Sequence, residues 1–431
     1  MKPPPIDLLG ASMTASTPDE DYATVVVAGG GPAGIMCALL LARAGITVVV
    51  LEKHSDFLRD FRGDTVHAST MRLLDELGLG AEFRALPQSR LDSFSLPDGA
   101  GGSVLLADFG TLPKPYDYIA MVPQWDLLNL LVAAAAREPC FSIRMDTEAT
   151  SLVHDGGTVA GVAYRTRGGA TGTLRAHLVV ACDGRGSVLR QAAGMVPREF
   201  PVPFDTWWFR LSRAPGDTGQ KATLAPTFRG SEILLSFTRT TYFQIAYLAP
   251  KGDDARLRAE GVERFRERIA GLRPELADRV GEIASMDDLH MLDVKLNRLQ
   301  SWHRPGLLVL GDAAHAMSPA GGVGINLAIQ DAVAAATLLA GPLLEGTLSE
   351  QHLAAVERRR RFPTVVIQRA QRLLHRVIFA TALSGREVQP PRFIIWLARH
   401  VPPFKRIPAR LIGYGPRPEH APKFARRPPR A

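Results

Sequence analysis

The run Val25-Val26-Val27, the turn Gly29-Gly30-Gly31-Pro32-Ala33-Gly34 and the spaced apolar residues Ile35, Leu39 and Leu40 decide how this 431-residue chain reads. An apolar run, a G-x-G-x-x-G turn and a helical pattern in that order predict strand, tight turn and helix, the context that gives the glycines meaning. Gly29 makes the turn, Gly31 lets the backbone approach a pyrophosphate, and Gly34 lets helix pack on strand. The helix N-terminus then faces the phosphates. Glu52 ends a second apolar run, Val48-Val49-Val50-Leu51, where its carboxylate can accept a hydrogen bond from a ribose hydroxyl. Alone, this reads only as a dinucleotide site.

Two later segments narrow it. The first is Asp183-Gly184-Arg185-Gly186-Ser187 with Arg190; the second is Gly311-Asp312-Ala313-Ala314-His315, followed by Pro319, Gly321-Gly322, Gly324 and Asn326. Leu307-Leu308-Val309-Leu310 reads as a buried strand ending in Gly311-Asp312, and a glycine-dense turn leads into the helical pattern Leu327, Ile329, Ala332, Val333 and Ala336. A carboxylate at a strand end beside a helix N-terminus suits a polyhydroxyl chain next to a group that becomes anionic. The plainer alternative is a strand–turn–helix with a capping Asp.

With the three segments in this order, the chain resembles the single-component flavoprotein aromatic hydroxylases of the p-hydroxybenzoate hydroxylase type, over roughly residues 22–345. The resemblance implies an α/β fold: a Rossmann-like FAD-binding domain with an inserted antiparallel β-sheet substrate domain and C-terminal helices. It implies FAD as cofactor, NAD(P)H as co-substrate and O2, with an aromatic or lipophilic ring hydroxylated or epoxidised through a flavin C4a-hydroperoxide. The cofactor carries the hard step, so few catalytic side chains are expected and no metal.

The resemblance also assigns residues. Gly29, Gly31, Ala33, Gly34, Glu52 and Lys53 belong to the adenosine end, and Arg62 to the pyrophosphate, as a guanidinium fork would suit; a surface loop arginine is the alternative. Gln124, opening a helix after Pro123, is expected to touch the cofactor or to cap the helix. Asp183 with Arg190 belongs to a segment serving FAD and NAD(P)H, or forms an ion pair holding the strand end. Asp312 is expected on the ribityl chain, Pro319 beside the ring, and Gly324, Ile325 and Asn326 at the helix start facing the flavin pyrimidine. His67, in the loop after Arg62, is the one catalytic candidate: a neutral imidazole there can take a phenolic proton, or merely bond backbone or FAD. Alternation in Trp207–Leu211 and Tyr242–Leu248 makes Trp208, Arg210 and Phe243 candidates for the substrate wall, with core packing as the other reading.

Composition bounds the rest. A hydrophobic share of 46% with 22% charged residues is that of an ordinary globular protein. Cys37, Cys140 and Cys182 fit no metal or redox spacing and point to reducing cytoplasm. No apolar run in the sequence approaches the length of a transmembrane helix. Residues 386–431 hold eleven Lys and Arg against two Glu, so the net charge of +8 belongs to this Pro-rich end. It reads as a tail: peripheral to an anionic membrane or acidic partner, or an apolar piece (Phe393–Leu397) packed on the body with a solvated end. No base-stacking module accompanies the charge, so nucleic acid is not expected, and the oligomeric state stays open.

The expected division is a disordered leader over 1–21; an FAD-binding domain from 22–90, 115–195 and 291–345; a substrate domain from 91–114 and 196–290; C-terminal helices over 346–385, interrupted at Pro363; and the tail. A hairpin is expected around Pro97-Asp98-Gly99, a β-meander over 150–180, and a helix over 261–283. Rival readings are a flavin halogenase, for which the tryptophans at 125, 207, 208, 302 and 396 lack W-x-W-x-I-P spacing, a flavin-linked reductase or cyclase of isoprenoid lipids, and a non-catalytic flavin-binding module.

Overall fold

The computed structural model describes residues 22–57, 64–97, 102–213, 224–239, 241–385, 396–397 and 400–428. The expected leader, Arg62, the turn at Asp98-Gly99 and most of Phe393–Leu397 lie outside them.

Parallel strands form the centre, in the order Leu307–Val309, Thr171–Ala181, Tyr22–Ala28, Val48–Leu51 and Phe141–Arg144. Val27 lies between Val180 and Val50 in register. Strands covered on both faces need apolar side chains at every position, which is why the valine runs do not alternate. Val25 and Val27 pack under the helices Pro32–Arg43, Gln124–Ala135 and Gly324–Leu344, while Val26 and Val179 pack with Leu174, Leu189 and Trp302 on the other face. The expected meander is present as Thr147–Asp155, Thr158–Thr166 and Thr171–Ala181. Its last strand changes partner midway, leaving the hairpin to run parallel to Tyr22–Ala28.

A second, five-stranded antiparallel sheet, here the wall sheet, has the order Leu224–Arg229, Glu232–Thr238, Tyr242–Pro250, Phe204–Ser212 and His290–Leu292. Trp207, Phe209, Leu211, Phe243, Ile245 and Tyr247 bury one face against the helix Asp254–Leu272. This span kinks at Gly261, whose φ of 81° is not helical, so a helix does begin at the expected 261, but it stops before Pro274 instead of running to 283. The other face carries Phe204, Trp208, Ala246 and Leu248 and meets Phe379, Ala382 and, from the glycine-dense turn, Ala320. The hairpin Ser93–Pro97 with Ser103–Asp108 forms a two-stranded sheet of its own.

Three expectations about the C-terminal third need correction. The helix Glu350–Leu374 runs through Pro363 without a break; Thr364 Oγ1 donates to the Arg360 carbonyl at 2.9 Å, and the buried side of the helix holds it in place. The helix Gly324–Leu344 is long and apolar enough to cross a membrane by length and composition, yet most of it is buried inside the fold. Over residues 400–428 the basic end is no tail. After the helix Arg406–Gly413, residues 414–428 run back over the body, with Glu419, Ala421 and Ala425 buried. Arg43 donates to the Ala425 carbonyl at 2.8 Å, and the Ala421 amide donates to Glu76 at 2.7 Å. Apolar contacts and carboxylate partners hold this arm despite its charge.

Candidate functional site

The adenosine end is shaped by sterics. Gly29 has φ of 103°, and a Cβ there would stand 2.4 Å from the Cys182 carbonyl oxygen; one on Gly34 would stand 2.0 Å from that of Gly29. Neither position accepts a side chain. Gly31 differs: a Cβ there meets nothing within 4 Å, so glycine at this point leaves an open cradle at the start of the helix Pro32–Arg43. Helix geometry gives the first-turn amides of Ala33 and Gly34 no partner within the helix, which suits a phosphate. Glu52 is buried beneath the turn, accepting from the Gly30 amide at 2.7 Å and the His54 amide at 3.0 Å. Those bonds hold the carboxylate in one orientation at the strand end. Lys53 is exposed.

The middle segment locks two turns together. Asp183 Oδ2 accepts from the Leu189 amide at 3.1 Å and Ser187 Oγ from the Arg190 amide at 3.0 Å, so both cap the short helix Val188–Ala192. Burial raises the Asp183 carboxyl above its ordinary range, with these bonds opposing it. The expected Asp183–Arg190 ion pair does not form. Arg190 donates instead to the carbonyls of Ala313 and Arg185, both at 2.8 Å, tying the Asp-Gly and Gly-Asp turns to one guanidinium. Asp183 Oδ1 is buried without a partner among the described residues. Asp312, half-buried, faces Arg185 Nε at 3.2 Å.

The ring end is a loop held from behind. Gly321 and Gly322 have φ of 83° and 62°, and a Cβ on Gly322 would stand 2.3 Å from Thr65 Oγ1. Pro319 is half-buried at the loop's start. Gln371 Nε2 donates to the Ser318 and Ala320 carbonyls at 2.9 and 2.8 Å, and His375 Nε2 meets Ser318 Oγ at 2.9 Å. These two supports were not legible in sequence, being polar residues on a helix distant in the chain. Gly324, Ile325 and Asn326 open the next helix, and their amides too lack intrahelical partners. The Asn326 side chain is committed to protein. Its Oδ1 accepts from the His67 amide and Thr70 Oγ1, and its Nδ2 donates to the carbonyls of Thr65 and Gly322. Only its backbone still faces forward.

His67 shows the second of its two expected readings, a bond to backbone. It is fully buried, its Nδ1–H donates to the Ile412 carbonyl at 2.7 Å, and burial drops its pKa to about 4 despite that bond. Nε2, left as acceptor, has no partner among the described residues, and His67 lines a cavity with Val323, Asn326 and Gln330 from the helix start and Ile412 and Tyr414 from the arm. Its Nδ1 bond fastens the C-terminal arm to this end of the site.

On the wall sheet, Trp208 is buried on the face turned to the loop, its Nε1 without a partner among the described residues, with Phe237 beside it at 5.9 Å between centroids. Arg210 lies between Tyr242 and Trp125, 4.4 and 5.7 Å from their centroids, bridging the sheet to the helix that Gln124 begins. Phe243 is excluded as a lining residue: alternation places it with Leu211, under the helix Asp254–Leu272. Gln124 itself donates its amide to Asp64 at 3.3 Å. Asp64 in turn pairs with Arg239, both nearly inaccessible, in an ion pair that joins the two sheets' domains.

An open glycine cradle, a fixed carboxylate beyond it, an unpartnered buried Asp183 oxygen, a half-exposed Asp312 and a loop of forward amides fit FAD along their whole length. Comparison with known proteins agrees. Residues 22–370 match the FAD binding domain family. The chain is 35% identical over 403 residues to 6-methylpretetramide 4-monooxygenase of Streptomyces rimosus, covering 92% of this chain and 93% of that one. It is 31% identical over 331 residues to kynurenine 3-monooxygenase of Salinispora arenicola, covering 72% and 70%. Among solved structures, the anhydrotetracycline hydroxylase OxyS from Streptomyces rimosus superposes with a TM-score of 0.68 at 25% identity, covering 91% of this chain and 76% of that one. The monooxygenase reading therefore stands against the reductase, cyclase and binding-module alternatives, and the chain belongs to the FAD-dependent aromatic hydroxylases, flavoprotein monooxygenases that draw on NAD(P)H and O2.

Proposed function

We propose that the chain hydroxylates a planar, fused-ring phenol of the aromatic polyketide type, held between the loop 318–324 and the inner face of the wall sheet. Trp208 carries this reading. Its ring and that of Phe237 lie tilted by 30° in the apolar group that includes Ala320 of the loop. A flat ligand fits against such a pair, and the unpartnered indole N–H gives it one polar anchor, an oxygen on the ring system. Similarity to 6-methylpretetramide 4-monooxygenase across nearly the whole chain supports a multi-ring substrate.

When bound, FAD supplies the two-electron chemistry that activates O2. One NAD(P)H and one O2 convert the aromatic C–H to C–OH, with water taking the second oxygen atom. The chain's own residues bind, orient and exclude water. Glu52 would accept from the ribose, Asp312 from the ribityl hydroxyls in exchange for Arg185, and the amides of Gly324, Ile325 and Asn326 would oppose negative charge on the pyrimidine. Arg62 and Gln124 remain proposed contacts of the pyrophosphate side. The apolar wall keeps water from the reacting carbon.

The test is turnover of the FAD-loaded protein under air with 6-methylpretetramide and, separately, with p-hydroxybenzoate. The tetracycle should yield a product one oxygen atom heavier, coupled to NAD(P)H oxidation. Trp208→Phe should raise its KM about five-fold, the worth of one hydrogen bond, with flavin content unchanged. Coupled hydroxylation of the single ring, with only uncoupled peroxide release from the tetracycle, would refute the proposal.

A further inference from the structure

We propose that three arginines around Phe200, with Arg369 close enough to act on one of them, are the docking site for the phosphates of NADPH. The strand Pro197–Glu199 pairs antiparallel with Asn297–Leu299 and puts Arg198 directly opposite Arg298. Like charges in that relation destabilise a sheet. Arg372 joins them from the helix Glu350–Leu374, and the three guanidiniums lie 5.6, 5.6 and 4.8 Å from the Phe200 ring centroid. Arg369 adds a fourth charge. Burial, and then the charges of Arg361, Arg198, Arg369 and Arg372, push the Arg298 guanidinium below its ordinary range.

Compensation is missing where it would be expected. Arg361 pairs with Glu357, but among the described residues none of Arg198, Arg298, Arg369 and Arg372 has a carboxylate partner. Glu199, next to Arg198, accepts from Asn297 Nδ2 instead. Cation–π attraction to one ring offsets part of the repulsion and no more. Arg298 is nonetheless oriented, its Nη1 donating to Gln368 Oε1 at 2.6 Å. A fold that collects unpaired cations and fixes one of them is arranged for an anion from outside.

The reaction supplies that anion. FAD's pyrophosphate has its own cradle at Gly31, and the chain carries no second G-x-G-x-x-G for the nicotinamide dinucleotide. Phe200 packs with Met317 and Val323, at the two ends of the loop assigned to the flavin ring, so one apolar layer separates the arginines from that loop. Four guanidiniums match the three phosphates of NADPH better than the two of NADH, because the 2′-phosphate alone brings about −1.5 to −2 charge. The inference rests on the monooxygenase class and not on the proposed substrate.

Calorimetric titration of the FAD-loaded enzyme with 2′,5′-ADP and with 5′-AMP, in the absence of aromatic substrate, tests it. The bisphosphate should bind, more weakly as salt rises, and 5′-AMP should bind much less. Arg298→Gln and Arg372→Gln should each weaken 2′,5′-ADP about ten-fold, with Arg372→Lys recovering part. Flavin absorbance should not change, and the melting temperature should hold or rise, because repulsion is relieved. Wild-type affinity in both variants would overturn the assignment, as would lower melting temperatures without a change in affinity. Failure of the wild type to bind 2′,5′-ADP would also overturn it and leave the patch to an acidic protein partner.

Discussion

The two ends of the chain meet on the helix Gly324–Leu344 and are held there by unlike means. At the amino end, the helix Pro32–Arg43 packs against it, and the turn that launches this helix closes only because Gly29 and Gly34 carry no side chain to strike the carbonyl oxygens of Cys182 and Gly29. At the carboxyl end, the arm is fastened by charge. Arg360, inside the fold, donates to Asp331 at 3.0 Å and faces Glu419 at 3.3 Å, while Arg359 holds both Glu419 oxygens. Asp331 also faces His315 Nε2 at 2.6 Å and accepts from the Gly311 amide at 3.4 Å, so the arm connects to the turn that bears Asp312. Burial alone would raise the Asp331 carboxyl; His315 and Arg360 outweigh it and hold it low. Steric exclusion is local and tolerates no compromise. A buried charge network is long-range and stands only while every partner is present.

That difference sets the first two predictions. Gly34→Ala should have the largest effect: with backbone oxygen 2.0 Å from the new methyl, helix and strand must separate, and the protein should purify without flavin. A flavin-to-protein absorbance ratio near that of the parent would show the turn to be adaptable and end the contrast. Glu419→Gln comes next. It leaves Arg360, 1% exposed, short of an anion, a change that costs about 3–5 kcal/mol in buried networks. Guanidinium unfolding of the FAD-loaded protein measures it, with Glu267→Gln as control at the exposed Arg264–Glu267 pair, expected within about 0.5 kcal/mol. Flavin release should track the unfolding of the Glu419 variant, since Asp331 supports the Gly-Asp turn. A loss below about 1 kcal/mol would mean the arm merely lies on the surface.

The same contrast explains what could be read beforehand. The valine runs, the glycine turn and the Gly-Asp turn were legible because their requirements are met within a few residues. The wall sheet's alternation was legible too, but its polarity was not: which face a helix covers depends on Asp254–Leu272, so Phe243 was assigned to the wrong side. The arm was the least legible. Ten prolines and eleven cations resemble a solvated tail, whereas the partners of Glu419 and Ala421 lie 59 and 345 residues away. Pro363 misled for a related reason, since packing of the buried side of its helix overrides the local preference to break.

His67 sits where the two regions join, its amide bonded to Asn326 at the ring end and its Nδ1 to Ile412 of the arm, and its effect is confined to acid pH. Buried, it titrates near 4 in the folded protein against about 6.5 unfolded. The unfolded chain therefore binds more protons between those values. Stability should be level above pH 6.5 and decline as pH falls toward 4, by about 2 kcal/mol at pH 5. His67→Gln keeps a donor for the Ile412 carbonyl and removes the titration, so melting temperature measured from pH 7.5 to 4.5 should fall less steeply in the variant. Turnover provides the complementary reading. A structural pin leaves the pH profile of kcat unmoved in His67→Gln, whereas a base that takes a phenolic proton would lose its alkaline plateau. The first outcome ties His67 to the arm; the second would return it to the substrate and require the wall side of the cavity to open onto it.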